Sequence, residues 1–176
     1  MLRSFFRDRR GVSAVEFALI APVMIALYLA MTEVTMALMS DRRSDHVASA
    51  MGDLAAQVSS TSTSDISDIF SVGEQIMKPF PTGPLNMRLS SVVADSSGVA
   101  KVAWSRSQGL GLPAYADETV ITLPDDLIAA DESVVMAEIR YTYTSSLAQT
   151  LPTPLVFNHT YYLRPRRAAK VTCTDC

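Results

Sequence analysis

Residues 9–31 read Arg-Arg-Gly-Val-Ser-Ala-Val-Glu-Phe-Ala-Leu-Ile-Ala-Pro-Val-Met-Ile-Ala-Leu-Tyr-Leu-Ala-Met, and this stretch decides the fold. A bilayer span needs roughly 20 mostly apolar residues. Val12 to Met31 meets that requirement with a single acidic residue, Glu16, near its start. A carboxylate is costly in lipid and marks function by default. Arg3, Arg7, Arg9 and Arg10 precede the run, whereas Asp41, Asp45 and Asp53 follow it. That asymmetry predicts a single-pass topology with the N-terminus in the cytoplasm and the C-terminus outside. The run makes a poor secretory signal peptide, because no small-x-small cleavage site follows it and Glu16 weakens its apolar core.

Charge and size narrow the remainder. The first eleven residues hold four arginines against one aspartate, so a net charge of −3 for the 176-residue chain leaves −6 for the rest. An acidic body argues against nucleic-acid binding, which needs cations to displace phosphate counterions. The chain is long enough for one modest core beyond the span.

The helical pattern continues past the span. Thr32 and Glu33 interrupt the apolar run before it resumes at Val34, and a helix break there or near Ser40-Asp41 is an open alternative. Val47, Met51, Leu54 and Val58 then recur at spacings of four, three and four, one face of a helix. A helix from Val12 to Val58 would be ~70 Å long at about 1.5 Å per residue. Pro22 removes one backbone donor within the span and predicts a harmless kink. Gly52 is a weak point of roughly 1 kcal/mol relative to alanine.

At these residues a family resemblance is clear. Arg9-Arg10-Gly11, followed by Val-Ser-Ala-Val-Glu16-Phe17, resembles a class III prepilin signal of the Gly/x-x-x-x-Glu-aromatic type. The continuation Phe17-Ala-Leu-Ile-Ala-Pro22 resembles the TadE-like minor pilins, or pseudopilins, of tight-adherence (Tad/Flp) pilus systems. The specific similarity covers residues 9 to 35. It implies cleavage between Gly11 and Val12 by a membrane prepilin peptidase, with Arg9, Arg10, Glu16 and Phe17 serving peptidase recognition or assembly. Phe17 departs from the tyrosine usual in major pilins of this class. A free amine at Val12 would lie close to Glu16, or to Glu16 of a neighbouring subunit, and low dielectric strengthens such a pair.

The head reads as α+β. Ser59 to Asp65 is a polar Ser/Thr linker offering Ser64 or Asp65 as a helix cap, and Asp65 to Met77 is a short helix stopped by Lys78-Pro-Phe-Pro-Thr-Gly-Pro84. Leu85 to Val93 and Val99 to Ser105 read as strands of a hairpin, and Ser133 to Thr144 as the strongest strand. Thr119 to Leu123 is a weaker strand candidate. Phe157 to Leu163, or on to Val171, supplies the last strand, with Pro165 forcing an edge or a break. Trp104 is expected to pack on the long helix.

Chemistry is sparse. Cys173-Thr-Asp-Cys176 follows a strand rather than opening a helix, so a small disulfide loop is expected over a redox catalyst. Zinc would need two further ligands, and His46 and His159 look isolated. Asp125-Asp126 and Asp131-Glu132 read as solvated turns, and Arg164, Arg166, Arg167 and Lys170 as a solvated basic strand end. No catalytic residues, metal, cofactor or small-molecule substrate are expected.

Together these readings predict an α+β, pilin-like layout: a basic leader (1–11), a transmembrane and extended helix (12–58), and an extracytoplasmic head (59–176) with a small antiparallel sheet. The resemblance implies a structural subunit of a Tad-type adhesive pilus in the bacterial inner membrane. Its implied partners are the membrane, the prepilin peptidase, other pilus subunits and the Tad machinery. The alternatives are an uncleaved single-pass protein with an extracytoplasmic binding head and, more remotely, an extracytoplasmic thiol oxidoreductase.

Overall fold

A computed structural model describes residues 11–124, 126–145 and 154–176. Arg9, Arg10 and Asp125 therefore lie outside the described residues. One unbroken helix, α1, runs from Val12 to Ala56 and includes Pro22, so neither alternative break occurs. Hydroxyl groups that would otherwise compete with the backbone are absorbed by it: Thr32 and Thr35 donate to the carbonyls of Tyr28 and Met31, at 3.0 and 2.8 Å. Ser40 and Ser44 do the same one turn back, both at 2.8 Å.

The two halves of α1 have opposite surroundings. Large apolar side chains from Val12 to Met31 are exposed, whereas Ala37, Val47, Ala48, Met51 and Ala55 are buried. A two-residue strand, β1 (Ser60–Thr61), leads into α2 (Thr63–Met77). The cap of α2 is Ser62, not Ser64 or Asp65. Ser62 accepts from the Asp65 amide, and the Asp65 carboxylate accepts from the Ser62 amide, a reciprocal box. At the other end of α2, the Arg43 guanidinium donates to the carbonyls of Ile76 and Lys78 and ties this terminus to α1.

Four strands form one antiparallel sheet: β2 (Leu85–Ala94), β3 (Ala100–Gln108), β4 (Ser133–Tyr143) and β5 (Leu155–Leu163), in the order β3-β2-β4-β5. The helices cover one face, with α1 over β4 and β5. Strand alternation sorts β4 cleanly. Val135, Ala137, Ile139, Tyr141 and Tyr143 join the helix-side core, while Val134 and Met136 join a second cluster on the opposite face. Residues from the 109–132 connection, including Tyr115, Ile121, Leu123 and Ile128, pack against that second cluster.

A bulge in β3 changes which way Trp104 faces. Ser91 pairs with Trp104 and Val92 pairs with Val102, leaving Ala103 unpaired. Two residues apart in a regular strand, Val102 and Trp104 would share a face; the extra residue sends them to opposite clusters. Trp104 joins the core that α1 builds, and its indole donates to the Val171 carbonyl at 2.8 Å.

Two further sequence expectations for the head need correction. The Ser/Thr linker is not merely a linker, since β1 pairs in parallel with β6 (Thr172–Cys173). The last long strand stops at Leu163, the shorter of the two expected ends. Thr119 to Leu123 forms no strand of its own; it straps the edge of β3 through a single bridge, Lys101 to Val120.

Candidate functional site

The exposed half of α1 is the first candidate. Phe17 is 72% exposed and Leu19 70%, and the most apolar window of α1 is buried nowhere. Soluble monomers rarely leave so large an apolar patch in water. By length and composition this helix can cross a membrane.

At its N-terminal end, Gly11 has φ −86° and serves as an uncapped N-cap. Among the described residues, a Cβ added there would meet nothing within 4 Å. Neither its backbone conformation nor packing by the described residues requires glycine at this position. Gly52 and Gly73 differ: a Cβ at Gly52 would collide with Leu163, and one at Gly73 would lie 2.8 Å from Met87 Sδ. Glu16 lies one helical turn beyond Val12 on the same face. It is exposed, and among the described residues it has no hydrogen-bond or ion-pair partner. Phe17 is likewise uncovered, so Gly11, Val12, Glu16 and Phe17 form a surface the fold itself does not use.

A second constellation sits where α1 leaves that surface and meets the sheet. Glu33 is 3% exposed, and the Tyr143 hydroxyl donates to it at 2.8 Å. Burial, then the hydrogen bond and charge of Glu33, push Tyr143 up to about 12. Two turns further, His159 lies between Asp41 (Nε2 to Oδ1, 2.9 Å) and Asp45 (Nδ1 to Oδ1, 3.4 Å). Tyr161 donates to Asp45 at 3.0 Å, and that bond is the main reason its hydroxyl is harder to ionise. His159 is thus not isolated, although its carboxylates are more than a hundred residues away in sequence.

The second face of the sheet carries a buried ion pair. Arg88 binds both oxygens of Glu138 at 2.7 Å and donates to the Pro113 carbonyl and the Tyr115 hydroxyl. Its guanidinium also lies 3.7 Å from the Tyr115 ring centroid. These bonds fasten the 109–132 connection to the sheet. Burial is the first cause holding Tyr115 above its ordinary value. Nothing in the local sequence announces this pairing, because Arg88 and Glu138 meet only through strand register.

The C-terminal sulfurs of Cys173 and Cys176 are joined, with Cα atoms 5.5 Å apart. Asp175 lies near them, but sulfurs bonded to each other offer no thiolate to a metal. Asp175 instead accepts a 2.7 Å bond from the Thr63 amide at the start of α2, and the Thr63 side chain, then this amide, hold its carboxyl below its ordinary pKa. Of the basic residues after β5, Arg164 pairs with Glu132 at 3.0 Å and Arg166 with Asp53, so neither they nor Glu132 are simply solvated.

Residues 11–51 match the TadE-like protein family. No curated protein and no solved structure matches the chain. The TadE-like segment begins at Gly11, spans the whole exposed half of α1 and ends within its buried half, before any strand of the sheet. The likeness therefore resides in the apolar helix and in Gly11, the residue just ahead of it. The match covers 41 of the 176 residues.

Proposed function

We propose that this protein is a minor pilin, or pseudopilin, a structural subunit in assembly of a Tad-type adhesive pilus. A prepilin peptidase removes the leader after Gly11 at the cytoplasmic face of the inner membrane. Arg9, Arg10, Glu16 and Phe17 are read by that enzyme or by neighbouring subunits. The β-rich head projects to the extracytoplasmic side and makes the specific contacts, and no catalytic step is assigned to it.

The observation that carries this reading is the pairing of a TadE-like helix with residues the fold leaves idle. Among the described residues, nothing packs where a Cβ of residue 11 would lie, and its φ of −86° does not call for glycine. Glu16 has no partner among the described residues. A small residue at the scissile position suits a peptidase cleft, and a carboxylate one turn from a new amine suits helix-to-helix pairing in low dielectric. Replacing Gly11 with valine tests the first half. The head is expected to keep its melting temperature while processing stops. Normal processing of Gly11→Val removes the peptidase from the account. Glu16→Ala tests the second half: membrane insertion persists, and processing or pilus output falls.

A further inference from the structure

The two edges of the sheet are treated differently. On β3, the 118–121 segment covers the membrane-distal half: Val102 exchanges hydrogen bonds with Thr119 and Glu118, at 3.0 and 2.9 Å, and Ile121 donates to Ala100 at 3.0 Å. Lys101 and Arg106 add charge to the same strand. The β5 edge has none of this. Among the described residues, no backbone group of Leu155 to Leu163 bonds to anything beyond β4. Its nine residues, Leu-Val-Phe-Asn-His-Thr-Tyr-Tyr-Leu, contain no lysine, acid or proline. A long edge without those devices is a template for another strand.

The neighbourhood of that edge selects what fits. Along it, α1 presents Asp41 and Asp45, with side chains 36% and 46% exposed. One imidazole, His159, stands against the two carboxylates. Arg43 is committed to the carbonyls at the end of α2 on the other side of the helix, and Arg42 is exposed with no ion pair among the described residues. Side chains of an added strand that face α1 would meet this acidic ledge.

A second copy of the chain in the same membrane fits poorly. β5 runs alongside α1 and in the same direction: Leu155 is in register with Tyr143 at the level of Glu33, His159 lies at Asp41, and Leu163 closes on Gly52. Antiparallel pairing of β5 with itself, about a two-fold axis normal to the sheet, would point the second anchor away from the bilayer. Pairing β5 with β3 of a copy would keep both anchors aligned, but half of that edge is strapped.

We propose that the β5 edge, with Asp41 and Asp45 beside it, is a docking site for an extended segment of a different protein, carrying lysine or arginine at alternate positions and added as a fifth strand. Main-chain hydrogen bonds supply the affinity and the ledge supplies the choice of side chain. The exclusion of a second copy rests on the membrane-anchored reading above.

The test is amide hydrogen exchange on the full chain in lipid nanodiscs, with a ten-residue synthetic peptide alternating lysine with valine and threonine, and its glutamate counterpart. Slower exchange in α1 from Val12 to Met31 reports anchoring independently of the docking result. The lysine peptide is expected to slow exchange across β5 about tenfold at ten times its dissociation constant, and the glutamate peptide is expected to have little effect. In Asp41→Asn/Asp45→Asn, which keeps polar partners for His159 and Tyr161, the preference for lysine disappears. No slowing by the lysine peptide at millimolar concentration, or equal slowing by both peptides, overturns the proposal. So does protection of β5 that rises with protein concentration in the absence of peptide, which would assign the edge to a second copy.

Discussion

The Tyr143 hydroxyl, on β4, donates a 2.8 Å hydrogen bond to the carboxylate of Glu33, 110 residues earlier on α1. This bond joins the sheet to the helix at the level where α1 begins to carry buried side chains among its exposed apolar ones. Glu33 looks in the sequence like a flaw in an apolar run. In the fold it marks the start of the head.

Replacing Tyr143 with phenylalanine removes one bond to a buried carboxylate and is expected to cost on the order of 1–3 kcal/mol at neutral pH. The pH dependence follows from the raised value. Tyr143 ionises near 12 in the fold against 10.0 ordinarily, so the unfolded chain loses its proton first. The stabilisation is complete below the ordinary value and is lost as pH climbs through the raised one, amounting to about 2–3 kcal/mol. Alkaline denaturation of the two proteins measures it. The wild type loses more stability than Tyr143→Phe over that window, and parallel curves would refute the assignment.

Arg88→Met is expected to destabilise the head by about 3–5 kcal/mol, because Glu138 is left buried without its cation. The double replacement Arg88→Met/Glu138→Leu is expected to recover most of that loss. Denaturant melts of the two variants decide it, and equal destabilisation by single and double variants would mean that packing rather than charge dominates.

Gly52→Val is expected to destabilise by about 1–3 kcal/mol through overpacking against Leu163 and Ala137, despite valine's better helix propensity. Leu163→Ala in the same background should restore part of the loss. A neutral Gly52→Val would show that the distal half of α1 sits further from the sheet than described.

The disulfide holds a loop of only two intervening residues, so Cys173→Ser/Cys176→Ser should lower stability by at most about 2 kcal/mol. Amide exchange at Thr63 should quicken as the Asp175 cap loosens, while pilus output is retained. Loss of output in a variant that still folds would revive a thiol-based activity.

How much of this was legible follows from the range of each interaction. The long helix, the hairpin and the strong strand at Ser133–Tyr143 announce themselves through local periodicity and turn chemistry. The α2 cap lies two or three residues before the positions expected because Ser62, Ser64 and Asp65 all carry capping side chains, and only the reciprocal Ser62–Asp65 geometry chooses among them. The pairing of Ser60–Thr61 with Thr172–Cys173 was invisible, since two residues carry no pattern. The partners of His159, Glu33 and Arg88 depend on strand register across long separations. At the N-terminal site Gly11 and Glu16 are legible in the sequence; the fold adds that, among the described residues, none would touch a Cβ at Gly11 and none pairs with Glu16.

The most direct test of the central claim is the intact mass and N-terminal peptide of the protein recovered from its native membrane. A mature chain beginning at Val12 is the predicted result and fixes the cut after Gly11. A chain that retains residues ahead of Gly11 would contradict prepilin-type processing and leave an uncleaved membrane anchor bearing a binding head.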